Sequence, residues 1–243
     1  MKNLLFIFSV LLILSSCKQD DYFIDGGKAV AKFDGDMLGY LESKPVQFDT
    51  ISQVIKLAGL EDQFKNDKFT FFAPNDMMVR DIIGTHVNSL GQVSYSNLNA
   101  YLISVNKEPI LELSDIDSLI WRKYITRYMF SDAYTLKDYP QIDFDQRNIF
   151  PGQLFYSKDN SLFNIGVVYD SVNGVKYLGY RHLVISFVPD ASRPDDNWQT
   201  VNISSSDIQP NNGVVHTLRN DKIFGFDYNE FVNDVALTRN NTN

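Results

Sequence analysis

Cysteine is nearly absent: Cys17 is the only one in 243 residues. One cysteine excludes a disulfide within the chain and any cysteine-built metal centre. Histidine is scarce as well. His86, His182 and His216 stand far apart, and none lies three or four residues from another His, Cys or Glu in a zinc-ligand spacing. There is no GxSxG elbow, no GxxxxGK[ST] loop and no GxGxxG turn, so the common signatures of elbow-serine and nucleotide chemistry are missing. Basic charge is in deficit, with 22 Lys and Arg against 30 Asp and Glu and a net charge of −8. Non-specific affinity for a phosphate backbone comes mostly from Lys and Arg, so nucleic acid is not an expected partner. No catalytic residue, metal site or cofactor is expected from these counts.

Long hydrophobic runs are also lacking. The apolar stretch Leu4 to Leu14 follows a single positive charge, Lys2. It falls well short of the ~20 residues a membrane-spanning helix needs. A positive start, a short apolar core and then small residues describe a signal peptide, here residues 1–16. Leu14-Ser15-Ser16-Cys17 resembles the lipobox of bacterial lipoproteins, which implies lipidation of Cys17 and attachment to a membrane through that lipid. A lone cysteine in an exported chain needs a reason, and lipidation is one. More than one acyl chain is implied, because a single chain binds membranes only marginally. Lys18-Gln19-Asp20-Asp21 resembles the acidic signal that sends Bacteroidetes lipoproteins to the cell surface. An outer-membrane lipoprotein exposed at the surface is the expectation.

What the chain does have is aromatic mass, with 18 Phe and 13 Tyr, which favours strands over a helical bundle. Residues 17–47 read as the lipidated cysteine, a tether and a first element, and residues 48–243 as a single domain. Ile51, Val54, Ile55 and Ala58 have helical spacing, with Asp49 placed to cap the start. Phe69–Ala73 reads as a short buried strand. Asn75 is a good helix cap, and the following helix carries Met78, Val79, Ile82 and Ile83. Residues 84–115 read as irregular, and 117–130 as one helix. Asn173-Gly174 supplies the two positive-φ residues of a tight turn, predicting a hairpin between FNIGVVYD and VKYLGYRH. His182–Val188, a short strand from Val201, and Asn211–Leu218 complete the β content.

Two segments carry a family resemblance. FTFFAPNDMMVRDII, with Phe72, Ala73, Pro74 and Asn75 at its turn, resembles the first motif of fasciclin-like domains. DIQPNNGVVHTL, with Asn212, Gly213, Val214, Val215 and His216, resembles the second. Their order is right, and the resemblance spans roughly 48–218. It implies an α+β fold, a fasciclin-like β-sandwich with helices packed on one side. Arg127-Tyr128 stands where the family has a Tyr-His pair linked to adhesion in animal members, so integrin-type adhesion is not carried over. Arg219 stands where the family often has Asp. Residues 84–116 and 139–160 look like insertions, and a C-terminal extension follows the second motif.

The acidic pairs Asp34/Asp36, Asp115/Asp117, Asp143/Asp145 and Asp195/Asp196 could in principle supply a glycosidase with two carboxylates. None extends to a calcium loop with its glycine and terminal glutamate. Asp49-Thr50-Ile51, Asp117-Ser118-Leu119 and Asp170-Ser171-Val172 resemble the Bacteroidetes O-glycosylation motif. Trp198 lies in a polar loop, where it either stacks on a sugar or plugs the core edge. His216 reads as a core histidine. The expectation is a non-enzymatic binding or adhesion module, with specificity in the inserted loops and in Trp198, Asp195 and Asp196. By resemblance the partner is a glycan or a component of an outer-membrane transporter for nutrient uptake. The alternatives are a glycan hydrolase using acids of the inserted loops, and a protein-binding scaffold. An Asn212-Gly213 turn with positive φ is the structural expectation for the second motif.

Overall fold

The computed structural model describes residues 31–220 and 222–240. The expected signal peptide, Cys17 and the Lys18–Asp21 signal lie outside the described residues. The unit Lys32–Asn243 begins with α1 (Met37–Glu42), α2 (Pro45–Leu57) and α3 (Glu61–Asn66), followed by β1 (Phe69–Ala73) and α4 (Asp76–Ile83). A small ribbon, β2 (Thr85–Val87) with β3 (Val93–Tyr95), leads into α5 (Asn97–Ser104). Helix α6 (Ser118–Thr126) precedes β4 (Met129–Ser131), β5 (Gln153–Tyr156), β6 (Leu162–Tyr169), β7 (Arg181–Val188), β8 (Gln199–Ile208) and β9 (Gly213–Leu218). Helix α7 (Tyr228–Thr238) ends the described chain.

Seven strands form one sheet in the order β4-β1-β9-β8-β7-β6-β5. The only parallel pair in it is β1 with β9, in register from Phe69 opposite Gly213 to Ala73 opposite Thr217. The sheet curls until its two edges touch: Phe130 bridges Ser157, and the Lys158 N–H donates to the Met129 carbonyl at 2.8 Å. Mixed helix and strand around one large curled sheet is what the α+β expectation requires. A division into two facing layers is a finer description than this ladder draws.

Strand β1 is buried on both faces because it lies inside the sheet with rings on either side. Its alternation sends Phe69 and Phe71 against Phe64 of α3, with ring centroids 5.1 and 4.9 Å apart. Phe72 points the other way, against Phe130 at 5.3 Å and His216 at 5.0 Å. At the end of β1, Asn75 caps α4 by accepting the Met78 N–H at 3.2 Å. Gly84 then closes α4 at φ 75°.

Several local expectations are corrected. Asp49 does not cap its helix. Phe48 is non-helical inside α2, so the helix restarts there, and the Ile51 N–H is accepted by Asp76 at 3.1 Å. The cap comes from the strand-to-helix turn 25 residues on, while Asp49 only accepts Gln53 Nε2. The helix expected over 117–130 stops at Thr126, because Met129 leaves it to pair with Phe71. Residues 84–115 hold the ribbon, α5 and a short 3-10 turn, Leu113–Asp115. The ribbon strands are exposed throughout, so no alternation of burial marks them. The Asn173-Gly174 turn forms, with φ of 51° and 80°. The strand that follows it beside β6 is nevertheless β7, from Arg181, and residues 176–179 are turn and bend.

Candidate functional site

The two motifs meet along the β1–β9 pair. The Asn212 side chain accepts the Met37 N–H at 2.8 Å and donates to the carbonyls of Phe64 and Asp67 at 2.9 and 3.0 Å. One amide thereby ties α1, α3 and the entry to β1 to the start of β9. Gly213 does not have the positive φ expected of it. Its requirement is steric: a Cβ there would lie 2.1 Å from the Phe69 carbonyl oxygen and 2.8 Å from Met37 Cε. Val214, Val215 and His216 are buried.

His216 has a defined neutral tautomer. Its Nδ1 accepts the Asp207 N–H at 3.3 Å, so Nε2 carries the proton and donates to the Tyr134 carbonyl at 2.9 Å. Burial pushes its pKa down from 6.5 to about 4, against the opposing pull of the Tyr134 carbonyl and Asp207. Between those values the unfolded chain binds a proton that the folded protein refuses. Stability is therefore full above pH 6.5 and lost as the pH falls toward 4. Between pH 7 and pH 5, His216 should remove about 2 kcal/mol of stability, and His216→Gln should flatten that slope. Urea melts of both proteins at the two pH values measure it, and parallel losses would show that His216 does not titrate this way.

Arg127 is buried in an ion cluster. Its guanidinium donates to Asp159 at 2.9 Å, to both oxygens of Glu230 at 2.7 and 3.1 Å, and to the Gly225 carbonyl at 2.9 Å. It also lies over the Tyr124 ring, 4.8 Å from its centroid. Burial opposes ionisation of Glu230, but hydrogen bonds from Arg127 and Lys123 outweigh it and hold its pKa below the usual value. The cluster fastens α7, the C-terminal extension, to α6 and to the loop carrying Asp159. Arg127 is thus a structural anchor at the place where the family resemblance puts its adhesion pair.

Much of the acidic content is engaged in turns and caps. Asp36 caps α1 through the Gly39 N–H, Asp115 accepts the Leu111 and Glu112 N–H groups, and Asp117 caps α6. The Asp117 cap bond runs to the N–H two residues on, and Asp143 accepts the Asp145 N–H in the same way, a common role of aspartate at turns. Among the described residues no three His, Cys, Asp or Glu side chains are grouped to hold a metal ion.

Two of the polar loops converge. Arg147, from the stretch 139–160, donates to the Asp195 carbonyl at 2.9 Å and lies over the Trp198 ring, 4.8 Å from its centroid. Phe144 meets Trp198 edge-on at 6.4 Å. Trp198 is half-buried, and its indole N–H donates to the Pro194 carbonyl at 2.5 Å within its own loop. Asp195 and Asp196 are exposed, and Asp195 joins the contact through its backbone rather than its carboxylate. Phe144 also lines a cavity of about 240 Å³ with Asp143, Asp145, Tyr169, Lys176 and Tyr177. The Tyr177 hydroxyl donates to Asp143 at 2.8 Å and is the main reason the Asp143 carboxyl lies below the usual range. Sequence reasoning singled out the loops but not Phe144 or Arg147. One aromatic and one arginine in a polar stretch carry no periodic signal, and only the folded contact marks them.

No known family model matches the chain, and no curated protein matches it. Among solved structures it is similar to the FAS1 domain pair from the insect cell adhesion molecule Fasciclin I. The two are 18% identical with a TM-score of 0.41, and the match covers 76% of this chain and 49% of that one. Among the described residues no helix is long and apolar enough to cross a membrane.

Proposed function

We propose that this protein is a lipid-anchored, cell-surface binding domain of fasciclin-like type, non-enzymatic, whose binding face is the junction of the loops 139–160 and 189–200 and whose ligand is a glycan. The observation that carries this reading is the convergence of Arg147, Phe144 and Trp198 beside a cavity rimmed by carboxylates, a lysine and tyrosine hydroxyls. An aromatic surface next to fixed polar groups suits a sugar ring, which has apolar faces and a hydroxyl-bearing edge. Anchoring is supported by the apolar leader that ends just before the single cysteine, Cys17.

The test has two arms. Metabolic labelling with a fatty-acid analogue should mark the wild type and not Cys17→Ser; equal label on both would end the anchor. On a glycan array, Trp198→Ala should lose about tenfold in affinity for whatever glycan the wild type retains, a change of roughly 1.4 kcal/mol. Its melting temperature should stay close to wild type, since the ring is half-exposed. Full binding by a folded Trp198→Ala would remove the site from this loop. Turnover of the bound glycan, abolished by Asp143→Asn or Asp195→Asn, would replace the binding reading with a hydrolase.

A further inference from the structure

The third polar stretch, 84–116, builds a different place. It folds back on α2 and α4 and borders an open cleft of about 260 Å³, lined by Thr50, Arg80, Ile83, Thr85, Ile110, Leu111, Glu112 and Leu113. Half of its lining is aliphatic: Ile110 is fully buried, Ile83 and Leu113 are partly so, and Leu111 is 72% exposed at the opening. Set among these aliphatic groups are hydrogen-bond donors. Thr85 Oγ1 already accepts from Asn99 Nδ2 at 2.7 Å, which leaves its own proton to give. Thr50 adds a second hydroxyl and Arg80 a guanidinium.

Arg80 is the cationic member of the lining. Among the described residues its guanidinium has no ion pair and no hydrogen bond. Arg122, Arg127, Arg147, Arg193 and Arg239 donate to carbonyls or carboxylates, while Arg181 lies over the Tyr169 ring and Arg219, like Arg80, has no side-chain partner among the described residues. Glu112, the one acid in the lining, is exposed and forms no ion pair with it. An unneutralised guanidinium beside aliphatic side chains is complementary to a guest that is anionic at one end and apolar at the other, because the planar fork matches a carboxylate. The volume is at or below the roughly 300–1,000 Å³ of ordinary ligand pockets, so the guest is small.

We propose that this cavity binds a short aliphatic carboxylate, its anion on Arg80 and the two threonine hydroxyls and its chain against Ile83, Ile110, Leu111 and Leu113. The proposal stands apart from the loop junction at Trp198 and does not depend on it.

The experiment titrates the full chain carrying Cys17→Ser, in detergent-free buffer, with hexanoate, hexanol and hexylamine by calorimetry. Hexanoate should bind one to one, hexanol at least tenfold more weakly, and hexylamine not at all. Arg80→Gln, at an exposed position, should keep the melting temperature, weaken hexanoate at least tenfold and abolish its preference over hexanol. Trp198→Ala should bind hexanoate like wild type. N-acetyl-leucine shares the same chemistry, and its rank against hexanoate distinguishes a peptide C-terminus from a free acid as the source. No hexanoate binding, equal binding of hexylamine, unchanged binding by Arg80→Gln, or loss in Trp198→Ala would each overturn the proposal.

Discussion

Arg127→Met should destabilise the protein by about 3–5 kcal/mol, the usual cost of breaking a buried ion pair from one side. The side chain is 3% exposed and Asp159 is 6% exposed, so neither can turn to water when its partner goes. Asp159 would keep hydrogen bonds from Ser157 and Ser161. The Gly225 carbonyl would lose Arg127 Nη1, and the Glu230 carboxylate would retain only Lys123. In a chain of this size the loss should lower the melting temperature by on the order of 10 °C. Arg127→Lys should recover only part, because one ammonium cannot reproduce a fork that serves Asp159, Glu230 and Gly225 together. Acid should act through the same cluster. Glu230 has a folded pKa below its unfolded value, so its contribution is present above the unfolded pKa and disappears as pH falls through the folded one. Calorimetric melts at neutral pH decide the matter: a shift under 2 °C for Arg127→Met would mean the cluster is not an anchor.

Gly213→Val is the second large effect, and its mechanism separates two explanations of the second motif. Were the glycine needed for left-handed backbone, its cost would match that of Gly174→Ala, where φ is 80° and nothing lies within 4 Å of the added atom. That cost is roughly 1–2 kcal/mol. At Gly213 the obstacle is the carbonyl of Phe69, held by the parallel ladder between β1 and β9. Met37 can swing aside, but a paired backbone carbonyl cannot. Overpacking a core costs about 1–3 kcal/mol and occasionally more, and here the strand register itself is at stake. Gly213→Ala should therefore already destabilise clearly, and Gly213→Val should leave little folded protein at 37 °C. Circular dichroism melts of the three variants test the order. If Gly213→Ala melts no lower than Gly174→Ala, close approach to Phe69 is not what the glycine provides.

Much of the fold was legible because its signals are local. Asn75 caps α4 through its own side chain, three residues from the N–H it serves, and the Asn173-Gly174 turn follows from the backbone freedom of those two residues. Strands β1 and β9 are short apolar runs that the family resemblance also marks. What failed were places where a distant partner overrides local preference. Met129 has helical neighbours but joins Phe71 across the sheet. Ile51 takes its cap from Asp76 rather than from nearby Asp49. The segment 176–180 lost its strand to β7, whose residues from Leu183 to Val188 are all buried where 176–180 are exposed or half-exposed.

The candidate sites divide along the same line. By itself, the sequence determined a short apolar run ending just before its one cysteine, the lack of a cysteine or histidine metal set, and which loops are polar and long. These depend on counts and on nearest neighbours. Only the tertiary structure decided that Arg147 covers Trp198, that Arg127 is an anchor and not an exposed contact, that Gly213 is required by the Phe69 carbonyl, and that Arg80, unpaired among the described residues, lines a cavity with aliphatic side chains. Each of these depends on groups tens of residues apart meeting within a few ångströms. Burial and pairing arise from that meeting, and no property of either residue alone encodes it.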